Sequence, residues 1–375
     1  MGLSQYKTAK ERCTFLEKEL GVTLTDIQKG REENEAAIHC ENRIGFVHIP
    51  LGVAGPIQIM GQHIKGSYHI PLATTEGALV ASVSRGAKAT HEGGIITSVE
   101  RVGTTRGPVI KVSSIGGASR IEKWIWEHME QLALETETTS HHIKLIDLEV
   151  KKTGMYLFLR FYFDTDRAMG MNMATIATQH LIEVITKKTK SDIISVAGNY
   201  DVDKKPSWLN IIRGRGFVVH AEAIVSKKTV EAILKTTGKK IYEVWKAKCM
   251  IGSALSGSMG FNAHHANVVA AFYAATGQDI AHTVEGSVGM TIVDILEDES
   301  LYISVNLPNI MVGTIGGGTG LSTQKEALSF IKTDSPYGLA EALGAGVLAG
   351  ELSLLASLSA GTLASAHKAL GRIQT

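Results

Sequence analysis

Residues 143–163 read IKLIDLEVKKTGMYLFLRFYF, two strand-like runs, 143–150 and 155–163, joined by the turn Lys151-Lys152-Thr153-Gly154. Working outward, residues 109–112 read as a strand. Ser119 and Glu122 form a capping-box pair that opens a helix, and Ile121, Trp124, Ile125, Met129 and Leu132 fall on one face of it. Beyond the hairpin, residues 169–186 read as a second helix and 193–196 as a last strand. The order β-α-β-β-α-β is the ferredoxin-like arrangement. It predicts a small domain at 108–195 inserted into a larger one formed by 36–107 and 196–360.

The larger domain reads as mixed α/β, so the fold class expected is α+β, built round a central buried helix with the ferredoxin-like insert. Residues 1–35 form a polar helical segment, 38–71 a set of short β-like runs, and 75–91 a helix ending at Gly93-Gly94. Residues 253–275 are almost all small or apolar, and a helix that is small on every side is buried centrally. Strands are expected at 290–296 and 301–307, then the glycine run 313–320 and two small-residue helices. A terminal flap helix at 361–375 is flanked by Gly361 and Gly371, which would permit it to move.

The chain has 375 residues, 44% hydrophobic and 20% charged, with a formal net charge of +1. That balance describes a well-buried globular protein and points to neither nucleic acid nor an anionic membrane. Cys13, Cys40 and Cys249 are odd in number and far apart, which fits a reducing compartment and excludes a disulfide framework. The start of the chain has no apolar signal core, and no uncharged apolar run reads as a bilayer span. A soluble, cytoplasmic protein is expected. The 39 glycines cluster where backbone approaches a ligand or another backbone.

Polar residues in apolar, glycine-rich surroundings carry the chemical information. Lys204 lies in NYDVDKKP, beside Asp203 and Lys205; the position before Pro206 is extended, and Lys204 is expected to share that conformation. Glu76 lies in ATTEGALVAS, Asp279 follows Gly277-Gln278, and His367 lies in LASAHKALGR. Each also has an ordinary structural reading: a solvated turn, a helix N-terminal acid, a turn residue and a surface histidine. Together, lysine, glutamate, aspartate and histidine suit carbonyl chemistry. An ammonium stabilises an oxyanion, a carboxyl donates a proton, a second carboxylate tunes the pair, and a histidine protonates a leaving group. No G-x-G-x-x-G follows a strand, no Walker A is present, and no His/Cys spacing points to a metal. The glycine run 313–320 and the helix start at 168–172 are compatible with an anion. Ser82 and Arg85 sit three apart, either a gripping pair or a surface pair.

The stretches ENRIGFVHIPLGVAGP (41–56), ATTEGALVASVSRG (73–86), TTRGPV (104–109), AMGMNM (168–173), GNYDVDKKP (198–206), GRGFVVHAEA (214–223), GSALSGSMGFNAHHAN (252–267), GQDIAHTV (277–284), GTIGGGTG (313–320) and AHKALGR (366–372) together resemble the 3-hydroxy-3-methylglutaryl-CoA reductase family, in the family's order. AMGMN looks like the class I branch, and the lack of a spanning segment looks like its soluble archaeal members. The resemblance implies reduction of the CoA thioester to mevalonate and CoA in two hydride transfers. NADPH is the implied donor, with NADH as an alternative. By resemblance, Lys204 stabilises the oxyanion, Glu76 donates a proton, Asp279 tunes both, and His367 protonates the departing thiolate.

The same resemblance assigns Ser82, Arg85, Arg106, Asp203, Lys205, Lys248, His264 and Asn267 to the substrate. It assigns Ser140, His141, Arg167, Met169, Gly170, Met171, Asn172, Asp279, Ile315, Gly316, Gly317 and Arg372 to the nicotinamide cofactor, with the small domain as the cofactor domain. It implies a homodimer or higher oligomer with the site at the interface, and Glu41-Asn42-x-Ile44-Gly45 as a dimerisation motif. Two positions depart from the family: Arg167 stands where Asp is usual, and His141 where an arginine usually grips the 2′-phosphate. Arg167 is expected to take over that phosphate. A non-catalytic CoA- or nucleotide-binding protein and a metal-dependent lyase are the competing readings; the first lacks a reason for four catalytic-type residues, and the second lacks a ligand cluster.

Overall fold

The structure is a computed structural model that describes residues 3–28 and 40–362. His367, Arg372 and all but the first two residues of the expected flap helix lie outside the described residues. Ten strands form one continuous sheet system: β1 Leu51–Met60, β2 Lys65–Ala73, β3 Ile95–Arg106, β4 Val109–Lys111, β5 Lys144–Thr153, β6 Tyr156–Asp164, β7 Asp192–Ser195, β8 Gly216–Val225, β9 Met290–Ile295 and β10 Leu301–Ile310. The main path runs β7-β4-β6-β3-β8-β10-β9, with β5 on β6, and β1 joining β3 to β2. The chain is therefore mixed α and β, as expected.

The hairpin at 143–163 forms as β5 and β6, with antiparallel partners from Lys144↔Asp164 to Thr153↔Tyr156. β4 pairs antiparallel with both β6 and β7, giving the local order β5-β6-β4-β7. Helices Ile115–Glu127, Met129–Glu137 and Met171–Thr189 pack on these strands round a core that includes Ile121, Ile125, Leu148, Phe161 and Leu181. Ser119 and Glu122 do not cap a helix. Ser114 does, accepting from the Gly117 amide at 3.1 Å, and the helix starts at Ile115. Glu122 instead takes Lys152 Nζ at 2.6 Å.

β3 belongs to both halves. Its residues 96–103 pair with β8, and Thr104–Arg106 pair with Phe161–Phe163 of β6. The change of partner falls at Gly103, whose φ of 106° and contact with the Phe163 backbone leave no room for a side chain.

The central helix is Pro336–Ser359, 24 residues that are mostly Gly, Ala, Leu and Ser, buried over most of its length. It is long and apolar enough to cross a bilayer, but here it is the core of the larger half, against β3, β8 and the helices Leu79–Ala89 and His265–Thr276. The expected helix at 253–275 is broken. Ser253–Ser256 ends at Gly257 in the left-handed region, and a second helix, His265–Thr276, starts after a turn.

The two acids of the central helix explain that break. Glu341, fully buried, accepts the amides of Gln62, His63 and Ile64 at 2.8–3.1 Å and so closes the β1–β2 turn. Glu351, also fully buried, accepts the Ala263 and His264 amides at 2.8 and 2.7 Å. A continuous helix through 263–264 would spend those amides on its own ladder and leave a carboxylate stranded in the core. The Thr291 hydroxyl donates to Glu351 at 2.6 Å and therefore accepts from His265 Nε2 at 3.0 Å. Burial pushes the His265 imidazole down to about 4. Burial alone would raise the Glu351 carboxyl, but His265, His264, Thr291 and the Ala263 amide hold it below the usual range.

Two predictions follow from this packing. A Cβ on Gly86 would be driven into the carbonyl of Ala349, backbone that cannot turn aside, whereas on Gly346 it would meet only Ile70 and Val268 at 3.5–3.9 Å. Gly86→Ala should cost about 3 kcal/mol or more in urea unfolding, and Gly346→Ala should be neutral or stabilising by up to about 1 kcal/mol. Second, the native state refuses a proton at His265 that the unfolded chain binds below its ordinary 6.5. Stability is therefore complete above about pH 6.5 and falls by roughly 3 kcal/mol in all as pH drops to about 4. Unfolding followed across that window should show the slope in wild type and a flatter one in His265→Gln.

Candidate active site

The loop after β7 is shaped by backbone before it is shaped by charge. Asn199, Val202 and Lys204 have φ of 63°, 53° and 55°, left-handed values that are costly for residues with side chains and persist where surroundings enforce them. Lys204 is thus a turn residue and not extended, as the sequence had implied. Ser207 caps the helix Trp208–Arg213, accepting from the Leu209 amide at 3.1 Å, which anchors the far side of Pro206.

This turn delivers Lys204 Nζ to Asp279 Oδ2 at 2.7 Å. Asp279 also accepts the Ala281 amide at 3.0 Å through Oδ1, so its carboxylate is held from both sides. Burial would raise its pKa, but the Lys204 hydrogen bond, the charge of His282 and the Ala281 amide keep it below the ordinary carboxylate range. Both side chains remain more than a third exposed, at 40% and 37%. The result is an ammonium fixed in direction and open to a ligand.

Behind that pair lies a set of residues that motif reading passed over. Arg215, fully buried, pairs with Glu285 at 2.5 Å and with Asp203 at 3.0 Å, and its Nε donates to Thr105 Oγ1 at 2.8 Å. His282, also fully buried, meets Glu285 through Nδ1 at 2.6 Å and faces Asp279 Oδ2 through Nε2 at 3.7 Å. The available signal was local: a histidine and a glutamate three apart in DIAHTVE, and an arginine in GRGFVV. Asp203, His282 and Glu285 bring ligand-type atoms within 4.8 Å of one another, but the Arg215 guanidinium lies among them, making this an ion-pair cluster. Arg106 completes it, contacting Asp201 at 3.3 Å, Asp203 at 3.8 Å and Thr175 Oγ1 at 2.7 Å.

A cleft of about 820 Å³ is lined by Pro206, Lys248, Asn262, His264 and Asn267 among others. Asn267 Nδ2 donates to Glu76 Oε1 at 3.1 Å and lies 3.5 Å from His264 Nδ1. Glu76 does not start a helix. It sits exposed in the turn before Leu79–Ala89, where Ala78 has φ 73°. Its side chain is held by Asn267, so the structure gathers Glu76, His264, Asn267 and Lys248 at the cleft, and Lys204 with Asp279 as a second group. Lys205 stays exposed and reaches only the Asp203 carbonyl, at 3.3 Å. Ser82 and Arg85 are no surface pair: both turn onto the central helix, with Ser82 on Ser353 at 2.9 Å and Arg85 on Ser353 and Ser357.

The segments assigned to a cofactor also meet. Gly170, in the left-handed region, precedes the helix Met171–Thr189, whose first turn no side chain caps. The Thr104 hydroxyl holds the Met169 carbonyl at 2.6 Å. Ile315 bridges Ala168, the Thr314 amide donates to Arg167 O at 2.8 Å, and the backbone of Gly318 packs against that of Gly277. The glycine loop therefore spans from the 168–172 helix start to the turn that carries Asp279. Nothing stands within 4 Å of where a Cβ of Gly316 or Gly317 would be, so this backbone is open to a ligand. Ser140 lies 3.9 Å from Met173 Sδ, and His142 pairs with Asp166 at 3.0 Å, which brings the 140–142 turn to the same place. His141 is exposed. Arg167 is bound by Asp334, through its carbonyl at 3.0 Å and its carboxylate at 3.7 Å.

The family described as hydroxymethylglutaryl-coenzyme A reductase matches residues 8–372. The 3-hydroxy-3-methylglutaryl-coenzyme A reductase of Methanothermobacter thermautotrophicus is 46% identical over 368 residues, covering 96% of this chain and 92% of its own. Reductase 2 of Aspergillus fumigatus is 44% identical over 89% of this chain and 32% of its own. Among solved structures, the reductase of Streptococcus pneumoniae superposes with a TM-score of 0.71 at 18% identity, covering 95% of this chain and 98% of that one. A second structure from that organism, the class II enzyme bound to NADPH in open conformations, gives 0.70 at 19% identity. Those structures speak for the fold, and the sequence relatives for the family: the chain belongs to the hydroxymethylglutaryl-coenzyme A reductases.

Proposed function

We propose that the chain reduces (S)-3-hydroxy-3-methylglutaryl-CoA to (R)-mevalonate and CoA with two equivalents of NADPH, the step that opens isoprenoid synthesis by the mevalonate route. The observation that carries this reading is the Lys204 ammonium, held at 2.7 Å by Asp279 and left open to a ligand. A preorganised cation of this kind stabilises charge as it develops on a carbonyl oxygen. NADPH, when bound, supplies the two hydrides. The open backbone of Gly316 and Gly317 and the uncapped start of Met171–Thr189 fit a phosphorylated dinucleotide. Ser140, His141, Arg167, Met169, Gly170, Met171, Asn172, Ile315 and Arg372 are the further residues assigned to it.

In the first half of the reaction Lys204 holds the thioester oxygen as it becomes an oxyanion. The thiolate that leaves takes a proton from His367. In the second half Lys204 holds the aldehyde oxygen and Glu76 protonates it, while Asp279 keeps the ammonium aimed. Lys248, His264 and Asn267 line the cleft that would take the hydroxymethylglutaryl group and CoA, with Ser82, Arg85, Arg106, Asp203 and Lys205 as the remaining substrate residues. Glu76 is exposed on this chain, and so are Val47 and Leu255, at 86% and 85%. A homodimer that completes the site at its interface would cover such groups, and Glu41–Gly45 is the segment assigned to it. Three free cysteines fit a cytoplasmic setting.

The purified protein should oxidise two nicotinamides per CoA released. Lys204→Ala should lose turnover by at least about a thousandfold with an unchanged melting temperature; retained turnover would remove Lys204 from the chemistry. Arg167 supplies the 2′-phosphate contact in this reading, exchanging Asp334 for the ligand. Arg167→Asp should then raise KM for NADPH about tenfold or more, equivalent to about 1.5–3 kcal/mol, and leave NADH untouched. An unchanged preference between the two cofactors would sink that assignment.

A further inference from the structure

We infer that His282 is a positioning residue for the reduction, acting on Lys204 through Asp279; the inference rests on the reductase reading above. Asp279 Oδ2 stands between two groups, Lys204 Nζ at 2.7 Å and His282 Nε2 at 3.7 Å. Its other oxygen is committed to the Ala281 amide. Asp279 therefore has one oxygen to share between the ammonium that works on the carbonyl and the imidazole behind it.

The ring cannot drift. Its Nδ1 lies 2.6 Å from Glu285 Oε1 and 3.3 Å from Arg215 Nη1, and since Glu285 pairs with Arg215 as a carboxylate, Nδ1 is the donor to it. Glu285 is fixed in turn by Arg215 at 2.5 Å, and all three side chains are fully buried. That leaves Nε2 pointing at Asp279 with no hydrogen-bond partner. A buried polar atom without a partner is costly. Asp203, Asp279 and Glu285 face the ring, as do the cations Lys204 and Arg215. With Glu285 before Nδ1 and Asp279 before Nε2, both ring nitrogens face carboxylate acceptors.

The role follows from what happens when Lys204 engages an oxyanion. The ammonium then turns part of its hydrogen bonding from Asp279 to the substrate, and Oδ2 needs a second donor to stay in place. His282 Nε2 needs to close less than about 1 Å to make that bond. Asp279 then neither follows the lysine nor swings to solvent, and the ammonium keeps its aim through both hydride steps. The chain Arg215–Glu285–His282–Asp279–Lys204 thus transmits the rigidity of a buried ion pair to an open site.

Two isosteric substitutions separate the two ring nitrogens. In His282→Asn the side-chain amide matches Nδ1 and keeps Glu285, but nothing reaches Asp279. In His282→Gln the amide matches Nε2 and restores a donor there. The inference expects kcat to fall at least twentyfold in His282→Asn and to stay within about fivefold of wild type in His282→Gln. KM for thioester and nicotinamide should change less than about twofold in both. Equal kcat in the two variants, or a loss carried by KM, would overturn it. Should His282→Asn not fold, His282→Gln decides alone: kcat within fivefold supports the inference and a twentyfold fall overturns it. Wild-type turnover is the separate control, since its absence removes the reductase reading and says nothing about His282.

Discussion

Charge removed from water has to be met by charge or by hydrogen bonds, and this molecule is arranged around meeting that demand in its core. The central helix carries two acids into an interior of Ala, Gly and Leu, and each is answered by backbone amides from a different turn. Glu341 closes the β1–β2 turn; Glu351 fixes the turn that presents His264 and starts the helix bearing Asn267. Arg215 and Glu285 apply the same rule beneath the Lys204–Asp279 pair. Their burial is a weak argument for stability, because the desolvation of two ions offsets most of their attraction. It is a strong argument for geometry, since the cluster has few other arrangements in which every charge has a partner.

The legible part of the fold was the part governed by local pattern. β5 and β6 announce themselves through a turn between two apolar runs, and the Met171–Thr189 helix through its periodicity. The failures came where tertiary demand overrode local preference. Residues 253–275 look like one helix because nothing within them states that Glu351, almost ninety positions later, needs the amides of 263 and 264. Ser119 and Glu122 have the spacing of a capping box, but Ser114 reaches the helix start first, and Glu122 is taken by a lysine across the hairpin.

The site divides in the same way. Lys204 and Asp279 stood out as charges in apolar, glycine-rich company, and they do meet. Glu76 stays exposed, held by Asn267 in a group apart from them. The residues that went unseen, Arg215, His282 and Glu285, are those whose work is done by burial. A sequence shows a charged residue but not the depth at which it sits, and depth is what turns His282 from a polar bystander into a constraint.

One strand sets a limit on motion. β3 is laid into both sheets, and its last three residues are tied by side chain as well as by ladder: Thr104 to Met169, Thr105 to Asp201 and Arg215, Arg106 to Thr175 and the acids. A swing of the smaller layer away from the larger would have to break either the ties to β6, Met169 and Thr175 or those to Arg215. β3 is a splint that lets neither layer move without disturbing one set of these ties.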